Sequence, residues 1–242
     1  MIPGDAGRAP LVFLHEGLGS VALWRDFPDK VARRLGAPAL VYSRFGYGRS
    51  DGLAGKRTPA FMHEEALNVL PPLLEQLGIA RPLLIGHSDG ASIAILYAAL
   101  SMRPVAGLAL LAPHVIVEDV TVDSIARVRA SYAQTDLRAR LAKYHANVDD
   151  AFLGWADIWL DPAFRSWSIE QEVAGVAAPM LLIQGEDDEY GTLDQLDRIT
   201  ARTSTEVSRL VLPRCGHSPH RDQEPAVIDA IAAFAAVLAA SD

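Results

Sequence analysis

The sequence predicts an α/β fold: an open, mostly parallel sheet of about six strands, with helices on both faces and a helical lid insertion. Six apolar runs of four to seven residues show no alternation of apolar and polar positions, which is typical of strands buried on both faces of a parallel sheet. Segments with helical periodicity separate the runs, and alternating strands and helices form right-handed βαβ units. The predicted strands are Leu11–Leu14, Ala39–Tyr42, Pro82–Ile85, Val105–Leu111, Pro179–Ile183 and Val207–Leu212.

The segments between the strands carry helix signals. Apolar residues recur through Val21–Leu35 with helical spacing, which predicts an amphipathic helix. Thr58-Pro59 is the expected N-cap and first position of the next helix, and Pro71-Pro72 should bend or break that helix. Ser92–Leu100 is apolar almost all round and is predicted to be buried, whereas Ala226–Leu238 should close the domain.

The stretch from about residue 117 to residue 176 contains no strand signal, and we expect it to form a helical lid on a core made of residues 1–116 and 177–242. Seven of the seventeen aromatic residues fall in this stretch. Phe152, Trp155 and Trp159 are spaced by three and four residues, so they share one helix face. That face is either the small core of the lid or the roof of a pocket, and the two interpretations are compatible.

Composition excludes several classes of function. The chain has 22 basic and 30 acidic residues, and its net charge of −8 argues against non-specific nucleic-acid binding. Residues 1–10 lack the features of a signal peptide, and Pro225–Ala240 is too short to span a membrane. The single cysteine, Cys215, excludes an internal disulfide and fits a reducing cytosol. We therefore expect a cytoplasmic protein with a small-molecule substrate, no membrane or nucleic-acid partner, no cofactor and no metal; the oligomeric state stays open.

A nucleophile signal lies between the third predicted strand and the helix that follows. Gly86–Gly90 reads Gly-x-Ser-x-Gly, and a serine on a tight strand-to-helix turn has an exposed hydroxyl beside a helix N-terminus. Such a serine needs a base, and the base needs a group that fixes its tautomer. The loops after the last two predicted strands supply Glu186–Glu189 and His217, at the strand ends where open sheets place their sites.

With these motifs the chain resembles α/β-hydrolase-fold serine hydrolases of the esterase type, which carry a helical lid, over essentially its whole length. The resemblance implies Ser88 as nucleophile and His217 as base. In the family the acid usually lies three residues after the loop glycine, which selects Asp188 over Asp187. The matching stretches are Leu14-His15-Glu16-Gly17, Arg44–Ser50, Gly86–Gly90, Gly185–Asp188 and Gly216-His217.

The resemblance also implies an oxyanion hole made by the backbone N–H groups of Asp89 and Gly17, with Leu18 as the fallback for Gly17. Two residues depart from the family pattern: Glu16 replaces a usual glycine, and Asp89 follows the serine. A carboxylate in the hole would repel the developing oxyanion, so both side chains should point elsewhere. Their charges are expected either to raise the pKa of His217 or to favour a cationic group on the substrate.

A further departure concerns the beginning of the chain. The family normally carries a two-stranded antiparallel hairpin before the first of the strands predicted above, and residues 1–10 are too short to form it. We therefore expect an α/β-hydrolase fold that lacks this hairpin, with about six strands, all parallel. The missing hairpin should expose an edge of the sheet, which is a liability for stability or an invitation to pair.

Other residues are assigned by their position relative to the predicted loops. His15 and His87 are expected to pack and hydrogen-bond the loops, and His63 and His145 look like solvated helix positions. His220 follows the candidate base by three residues, but no cluster of ligands accompanies it, so we expect no metal there. The candidates for the substrate pocket are Leu18, His114, Trp155, Trp159 and Tyr190.

For function, the sequence favours hydrolysis of a small or medium apolar ester, since an alkoxide leaves readily. Attack on a C–C, lactone, thioester or amide bond, or a ligand-binding receptor on the same fold, remains an alternative. A remote alternative is an NADP-dependent reductase, because Gly17–Ala22 fits Gly-x-Gly-x-x-Ala and Arg44 could accept a 2′-phosphate. That alternative leaves the Ser88, Asp188 and His217 loops unexplained.

Overall fold

The computed structural model describes residues 1–241, and a six-stranded sheet runs through its centre. Every neighbouring pair of strands is parallel, which confirms the predicted open sheet. Each predicted strand is present, with ends that differ from the prediction by at most two residues. In chain order the strands are β1 (Leu11–Leu14), β2 (Ala39–Val41), β3 (Leu83–His87), β4 (Gly107–Leu111), β5 (Met180–Gly185) and β6 (Val207–Leu212). Their order in the sheet is β2-β1-β3-β4-β5-β6.

Helices connect the strands. Two single turns are of the 3₁₀ type, at Val21–Trp24 and Pro162–Phe164. The α-helices are α1 (Phe27–Leu35), α2 (Phe61–Glu64), α3 (Leu70–Gln76), α4 (Asp89–Leu100), α5 (Asp119–Ser131), α6 (Leu137–Leu141), α7 (Val148–Trp159), α8 (Glu170–Val173), α9 (Asp194–Arg202), α10 (Pro219–Asp222) and α11 (Glu224–Ser241).

The core consists of two apolar layers, one on each face of the sheet. Side chains alternate along β1, so that Val12 and Leu14 enter one layer while Leu11 and Phe13 enter the other. Helices α1 and α11 cover the second layer, and the first is covered by α2–α4, α9 and the helices of residues 117–176. Burial of apolar surface on both faces explains why β1 and β3–β5 read as continuous apolar runs. The prediction of burial on both faces is wrong for β6, where Ser208 and Arg209 are exposed because this strand forms an edge of the sheet.

The connection between β1 and β2 departs from the predicted single helix. Residues 21–35 form a 3₁₀ turn and then α1, and the two are separated at Arg25, whose φ of 54° takes the chain out of the helical conformation. The next helix also begins later than predicted, at Phe61. Thr58 does not cap it; its hydroxyl oxygen accepts a hydrogen bond from the Ala60 N–H at 3.2 Å.

The proline pair does not break its helix. A π-helical turn at Glu65–Val69 joins α2 directly to α3, which contains Pro71 and Pro72. A proline has no N–H to donate to the carbonyl four residues earlier, so the carbonyls of Leu67 and Asn68 lose their usual partners. The wider turn immediately before the prolines absorbs this irregularity, which is a common role of single π turns.

The edge of the sheet at β2 is partly covered. Ile2 forms an isolated antiparallel bridge to Ala39, with hydrogen bonds of 2.7 and 2.9 Å between their backbone groups. This single bridge does not replace the missing hairpin. It does pair one residue of the edge strand, whereas we expected that edge to be exposed.

Residues 117–176 are helical in the structure, with helices α5–α8, a 3₁₀ turn and only a single bridge between Ile116 and Ser168. Helices α5 and α7 pack against each other, and a stacked pair of rings, Tyr132 and Phe152, joins them with centroids 3.8 Å apart. The division of the chain into a core and a separate lid domain remains a prediction.

Candidate active site

The Gly86–Gly90 segment forms a sharp turn between β3 and α4. Ser88 lies at its apex with a φ of 53° and a ψ of −121°, a conformation that L-residues rarely adopt. The turn requires its glycines, because a Cβ on Gly86 would lie 2.5 Å from the Gly90 carbonyl oxygen and a Cβ on Gly90 would lie 2.0 Å from the Leu14 carbonyl oxygen. The sequence therefore builds a strained elbow that presents Ser88 directly before the N-terminus of α4.

The His217 ring is paired with Asp188. Its Nδ1 lies 2.8 and 3.0 Å from the two carboxylate oxygens. Asp188 is itself fixed by hydrogen bonds from the backbone N–H groups of Tyr190 and Gly191 at 2.8 and 3.2 Å and from the Gln184 side chain at 3.1 Å. Since the carboxylate can only accept, Nδ1 carries a proton and Nε2 is free to act as a base.

The charge of Asp188 controls the titration of His217. Burial by itself lowers the pKa of His217, but the adjacent Asp188 carboxylate outweighs burial and raises the pKa above its usual value. Burial likewise opposes ionisation of Asp188, yet the His217 ring holds the pKa of Asp188 below its usual value. The neighbouring Asp187 instead donates its backbone N–H to the Cys215 carbonyl at 2.9 Å. The structure thus pairs the histidine with the carboxylate that the sequence selects.

Ser88 and His217 line one cavity, which brings the three predicted catalytic residues together. Within residues 1–241, Ser88 Oγ and His217 Nε2 form no hydrogen bond. Catalytic hydrogen bonds are commonly long in ligand-free sites and tighten only when substrate is bound. The absence of this hydrogen bond therefore does not exclude Ser88 and His217 as nucleophile and base.

Two backbone N–H groups border the same cavity. Gly17 follows β1, and Asp89 is the first residue of α4. In the part of the chain that the structure describes, neither N–H has a hydrogen-bond acceptor. Gly17 lies under the indole of Trp155, because a Cβ added to it would be 2.2 Å from Trp155 Cδ1. These free donors, at the start of a helix and beside the serine, have the chemistry of an oxyanion hole.

The two acidic departures from the family pattern are both bound by other side chains. Asp89 is buried, and its carboxylate accepts a hydrogen bond from Trp159 Nε1 at 3.2 Å and lies 3.6 Å from Arg44 Nη2. Glu16 lies 3.4 Å from His87 Nδ1 and 3.4 Å from an Arg221 guanidinium nitrogen. Both carboxylates are therefore held by other side chains, and neither is directed into the candidate oxyanion hole.

The titration of these two carboxylates differs. Burial raises the pKa of Asp89, and Arg44 only partly offsets this effect. Burial also acts against ionisation of Glu16, but the adjacent His87 ring and the positive charge of Arg221 hold the pKa of Glu16 well below its usual value. Glu16 therefore carries a negative charge close to the site, and that charge contributes to the raised pKa of His217.

The cavity has a volume of about 140 Å³ and is largely apolar. Larger grooves of about 460 and 670 Å³ exist elsewhere, but neither contains Ser88 or His217, so chemistry rather than size identifies the site. The five pocket candidates from the sequence all line the cavity: Leu18, His114, Trp155, Trp159 and Tyr190. Helix α5 adds Thr121 and Ile125, which the sequence analysis did not single out.

Three aromatic rings pack beside the His217 ring, among them His87 with a centroid distance of 5.1 Å. The centroid of the Tyr190 ring lies 4.9 Å from that of His217, and the His114 ring lies 5.6 Å away. Burial, followed by the proximity of His217, lowers the pKa of His114 to about 3, so His114 is neutral at physiological pH. His114 therefore contributes a wall of the cavity rather than a second positive charge.

The prediction that His145 is solvated is wrong. The ring is 4% exposed, accepts a hydrogen bond from the Gly48 N–H at 3.0 Å and donates through Nε2 to the Leu18 carbonyl at 3.1 Å. His220 is buried as well, with its ring 4.8 Å from those of both Trp24 and His87. No local pattern marks either residue as buried, since the burial comes from contacts with distant parts of the chain.

The structure also bears on metal binding and on membrane insertion. Within residues 1–241, no group of three or more His, Cys, Asp or Glu side chains is arranged to hold a metal ion. None of the helices in that part of the chain combines the length and the apolar character needed to cross a membrane.

Sequence comparison relates most of the chain to one family. Residues 11–230 match the model of the alpha/beta hydrolase family. The proline iminopeptidase of Lactobacillus delbrueckii subsp. lactis is 33% identical over 97 residues, which cover 40% of this chain and 33% of that protein. The (lyso)-N-acylphosphatidylethanolamine lipase of Homo sapiens is 32% identical over 95 residues, covering 39% of this chain and 27% of that protein. The match thus spans a third or less of the length of these curated relatives.

Solved structures resemble the whole fold. A structure from a study of carboxylesterases of the thaumarchaeon Nitrososphaera gargenis superposes with a TM-score of 0.79 at 20% identity and covers 99% of this chain and 94% of its own. The esterase from Exiguobacterium antarcticum superposes with a TM-score of 0.73 at 17% identity, covering 96% and 93% of the two chains. At these identities the likeness establishes the fold.

Proposed function

Because the chain belongs to the alpha/beta hydrolase family, we propose that it is a serine hydrolase that cleaves a small apolar carboxylic ester through an acyl-enzyme. The observation that carries the proposal is the His217–Asp188 pair, with an Nδ1–Oδ1 distance of 2.8 Å, on the wall of the cavity that contains Ser88. A buried carboxylate that fixes the tautomer of a histidine leaves the other ring nitrogen as a base for the serine.

In the proposed reaction, Ser88 Oγ attacks the ester carbonyl carbon while His217 Nε2 takes the hydroxyl proton. The carbonyl oxygen becomes an oxyanion, which accepts hydrogen bonds from the Gly17 and Asp89 N–H groups. The tetrahedral intermediate then collapses, and the imidazolium of His217 protonates the departing alkoxide. Water, deprotonated by the same nitrogen, attacks the acyl-enzyme carbonyl. The second tetrahedral intermediate collapses with cleavage of the bond to Ser88 Oγ, which takes the proton back from His217, so that the carboxylic acid is released and both residues are regenerated.

The cavity supports a small substrate. Its volume is about 140 Å³, close to the size of about 150 Å³ at which an engineered protein cavity holds one benzene molecule. Leu18, Ile125, Trp155 and Trp159 supply apolar walls, so an acyl group of a few carbons gains contact area without unpaired polar atoms. The same arrangement is chemically able to attack a thioester, lactone or amide. An ester is proposed rather than an amide because the alkoxide of an ester is a better leaving group than the amine of an amide.

The proposal is tested by ester turnover in the wild type and in Ser88→Ala. The wild type should hydrolyse p-nitrophenyl acetate and butyrate faster than the octanoate, and Ser88→Ala should lower kcat by a factor on the order of 10⁶. Ser101→Ala, at the other end of α4, is the matched control and should keep wild-type kinetics. Retention of more than about a tenth of the activity in Ser88→Ala would exclude the serine mechanism, since loss of a nucleophile removes far more.

A further inference from the structure

A buried arginine lies behind the candidate oxyanion hole. The Arg44 side chain is 1% exposed, and its Nη2 donates to the backbone carbonyls of Glu16 at 2.9 Å and His15 at 3.3 Å. The same nitrogen lies 3.6 Å from the Asp89 carboxylate. One guanidinium nitrogen therefore touches both of the segments that supply the candidate oxyanion donors, the loop after β1 and the start of α4.

The Glu16 carbonyl accepts two further hydrogen bonds, one from the His15 side chain and one from the backbone N–H of Gly19 at 3.0 Å. His15 Nδ1 lies 2.7 Å from this oxygen, while His15 Nε2 accepts the backbone N–H of Arg44 at 3.0 Å. Because Nε2 is an acceptor, the ring proton must be on Nδ1, and Nδ1 donates to the Glu16 carbonyl. Burial holds the pKa of His15 well below its usual value, so this tautomer is neutral and stable at physiological pH.

The position of the Glu16 carbonyl determines the direction of the Gly17 N–H. Both groups belong to one peptide unit, which is planar and trans, since residues 1–241 contain no cis peptide bond. In a trans peptide the C=O and N–H point in opposite directions. Three donors, two of them side chains, hold the carbonyl on one side of the loop and thus aim the Gly17 N–H at the other side, where Gly17 borders the cavity.

Stability alone is a poor explanation for Arg44. A buried guanidinium is expensive to desolvate, and replacement of a buried ion pair by apolar side chains is often neutral or stabilising. Within residues 1–241, Arg44 Nε and Nη1 have no hydrogen-bond partners, and burial raises the pKa of its partner Asp89. The burial of an arginine with unpaired donors needs an explanation other than packing. The contacts of Arg44 Nη2 provide that explanation.

We propose that Arg44 is a positioning residue for the oxyanion hole. With His15 it clamps the Glu16 carbonyl and so aims the Gly17 N–H, and through Asp89 it fixes the spacing between the two donors of the hole. This role rests on the proposed serine hydrolase function. It predicts that Arg44 contributes to the transition state rather than to substrate binding, since the oxyanion exists only after attack.

The first test is Arg44→Lys, which keeps the positive charge but replaces the planar guanidinium and its several N–H donors by a single ammonium group. For p-nitrophenyl acetate, kcat should fall by about 10–100-fold, less than the roughly 10²–10³-fold cost of removing a donor outright. KM should stay within about twofold, because only transition-state contacts are lost. The acid limb of the pH–rate profile should not move, since the His217–Asp188 pair is untouched.

Arg57→Lys is the matched control. The Arg57 guanidinium packs on the same Tyr47 ring as Arg44, at 4.7 and 4.9 Å from the centroid respectively, but it donates to the Phe45 carbonyl, at 3.2 Å. It shares the charge and the aromatic partner of Arg44 without a bond to the oxyanion loop. Its kcat should therefore remain at the wild-type value.

A second pair of variants keeps the test decisive if Arg44→Lys does not fold. His15→Leu removes the other side-chain donor to the Glu16 carbonyl and should lower kcat by about 10-fold or more with an unchanged KM. His15→Asn can place its amide nitrogen where Nδ1 lies, so it should restore most of the lost kcat. Circular dichroism and Tm of each variant establish that the comparison is between folded proteins.

The proposal is overturned if Arg44→Lys keeps the kcat of Arg57→Lys, if the loss appears in KM, or if the pH profile shifts. Equal losses in His15→Leu and His15→Asn also contradict it, because a clamp should respond to the returned donor. A wild type that neither cleaves esters nor reacts with a fluorophosphonate at Ser88 overturns the proposed function itself, and with it this role of Arg44. The outcomes therefore separate failure of the clamp from failure of the enzyme mechanism.

Discussion

His217 is held by Asp188 through one ring nitrogen, so the two adjacent carboxylates of this loop should contribute unequally to catalysis. Asp188→Asn removes the group that sets the tautomer, and kcat should fall by a factor of about 10⁴. Asp187→Asn changes a side chain that does not contact the ring and should stay within about threefold of the wild type. Steady-state kinetics on p-nitrophenyl acetate decide between them. A larger loss in Asp187→Asn would mean that the acid has been assigned to the wrong residue.

Asp188→Asn should also change the pH dependence of the activity. His217 must be neutral to act as a base, so activity falls as pH drops through its pKa. Asp188 raises that pKa, and the wild type should therefore lose activity at a higher pH than an unperturbed histidine would. Removal of the charge in Asp188→Asn lowers the pKa, so the residual activity should persist to lower pH. If the acid limb of the pH–rate profile stays in place in Asp188→Asn, or moves to higher pH, the electrostatic role of Asp188 is contradicted.

At the scale of residues, the candidate residues that the structure brings together are those that lie in local sequence motifs. The Gly-x-Ser-x-Gly turn and the loops of Asp188 and His217 lie at strand ends, so strand positions alone bring them to one edge of the sheet. Sequence reasoning did not identify the burial of Arg44 or His145. Their partners are the carbonyls of Glu16 and Leu18, at sequence separations of 28 and 127 residues, and no periodicity encodes such contacts.

At the scale of elements, the junction of β1, β3 and α4 depends on the absence of a side chain at Gly90. Gly90→Ala would place a Cβ 2.0 Å from the Leu14 carbonyl oxygen and 2.4 Å from its carbon. Both atoms are backbone and cannot rotate away, so we expect a loss of about 1–3 kcal/mol in the free energy of unfolding. Urea denaturation measures it.

Gly55→Ala is the control, because nothing lies within 4 Å of its added Cβ. Its stability should change by less than about 0.5 kcal/mol. Equal stability of the two variants would show that the elbow does not pack against β1 as described.

Helices α5 and α7 should determine which acyl groups fit. Ile125 of α5 lines the cavity and is 1% exposed, whereas Ile158 of α7 is 4% exposed and does not line it. Ile125→Ala and Ile158→Ala should each lower stability by about 2–5 kcal/mol. Only Ile125→Ala enlarges the cavity, and its ratio of kcat/KM for hexanoate over acetate should rise by roughly tenfold. Identical chain-length profiles in both variants would remove α5 from the substrate pocket.

Strands were easier to predict than helices for a physical reason. Strands β1 and β3–β5 are buried on both faces and read as apolar runs, whereas β6 exposes Ser208 and Arg209; even so, all strand ends were placed within two residues. Helix boundaries depend on local backbone geometry that composition does not reveal. The positive φ of Arg25 divides one predicted helix into two, and the π turn at Glu65–Val69 lets the other continue through its prolines.

At the scale of the whole molecule, the topology assembles the site from distant parts of the chain. The loop after β1 carries Gly17, the turn after β3 carries Ser88 and Asp89, and the loops after β5 and β6 carry Asp188 and His217. All of these follow the carboxyl ends of parallel strands, so one sheet edge collects them. The fold class therefore predicts where the site lies, but the side chains that cover it, and with them the substrate, depend on packing that the sequence does not display.

Reaction with a fluorophosphonate, read by intact mass, tests the central claim that Ser88 is an activated nucleophile. A serine without a base does not react at a comparable rate, whereas one paired with a histidine does. The folded wild type should gain one adduct per chain, Ser88→Ala should gain none, and Asp188→Asn should react much more slowly. Heat-denatured wild type should also remain unmodified. A folded wild type that gains no adduct, or an adduct that persists in Ser88→Ala, would contradict the assignment of Ser88 as the nucleophile.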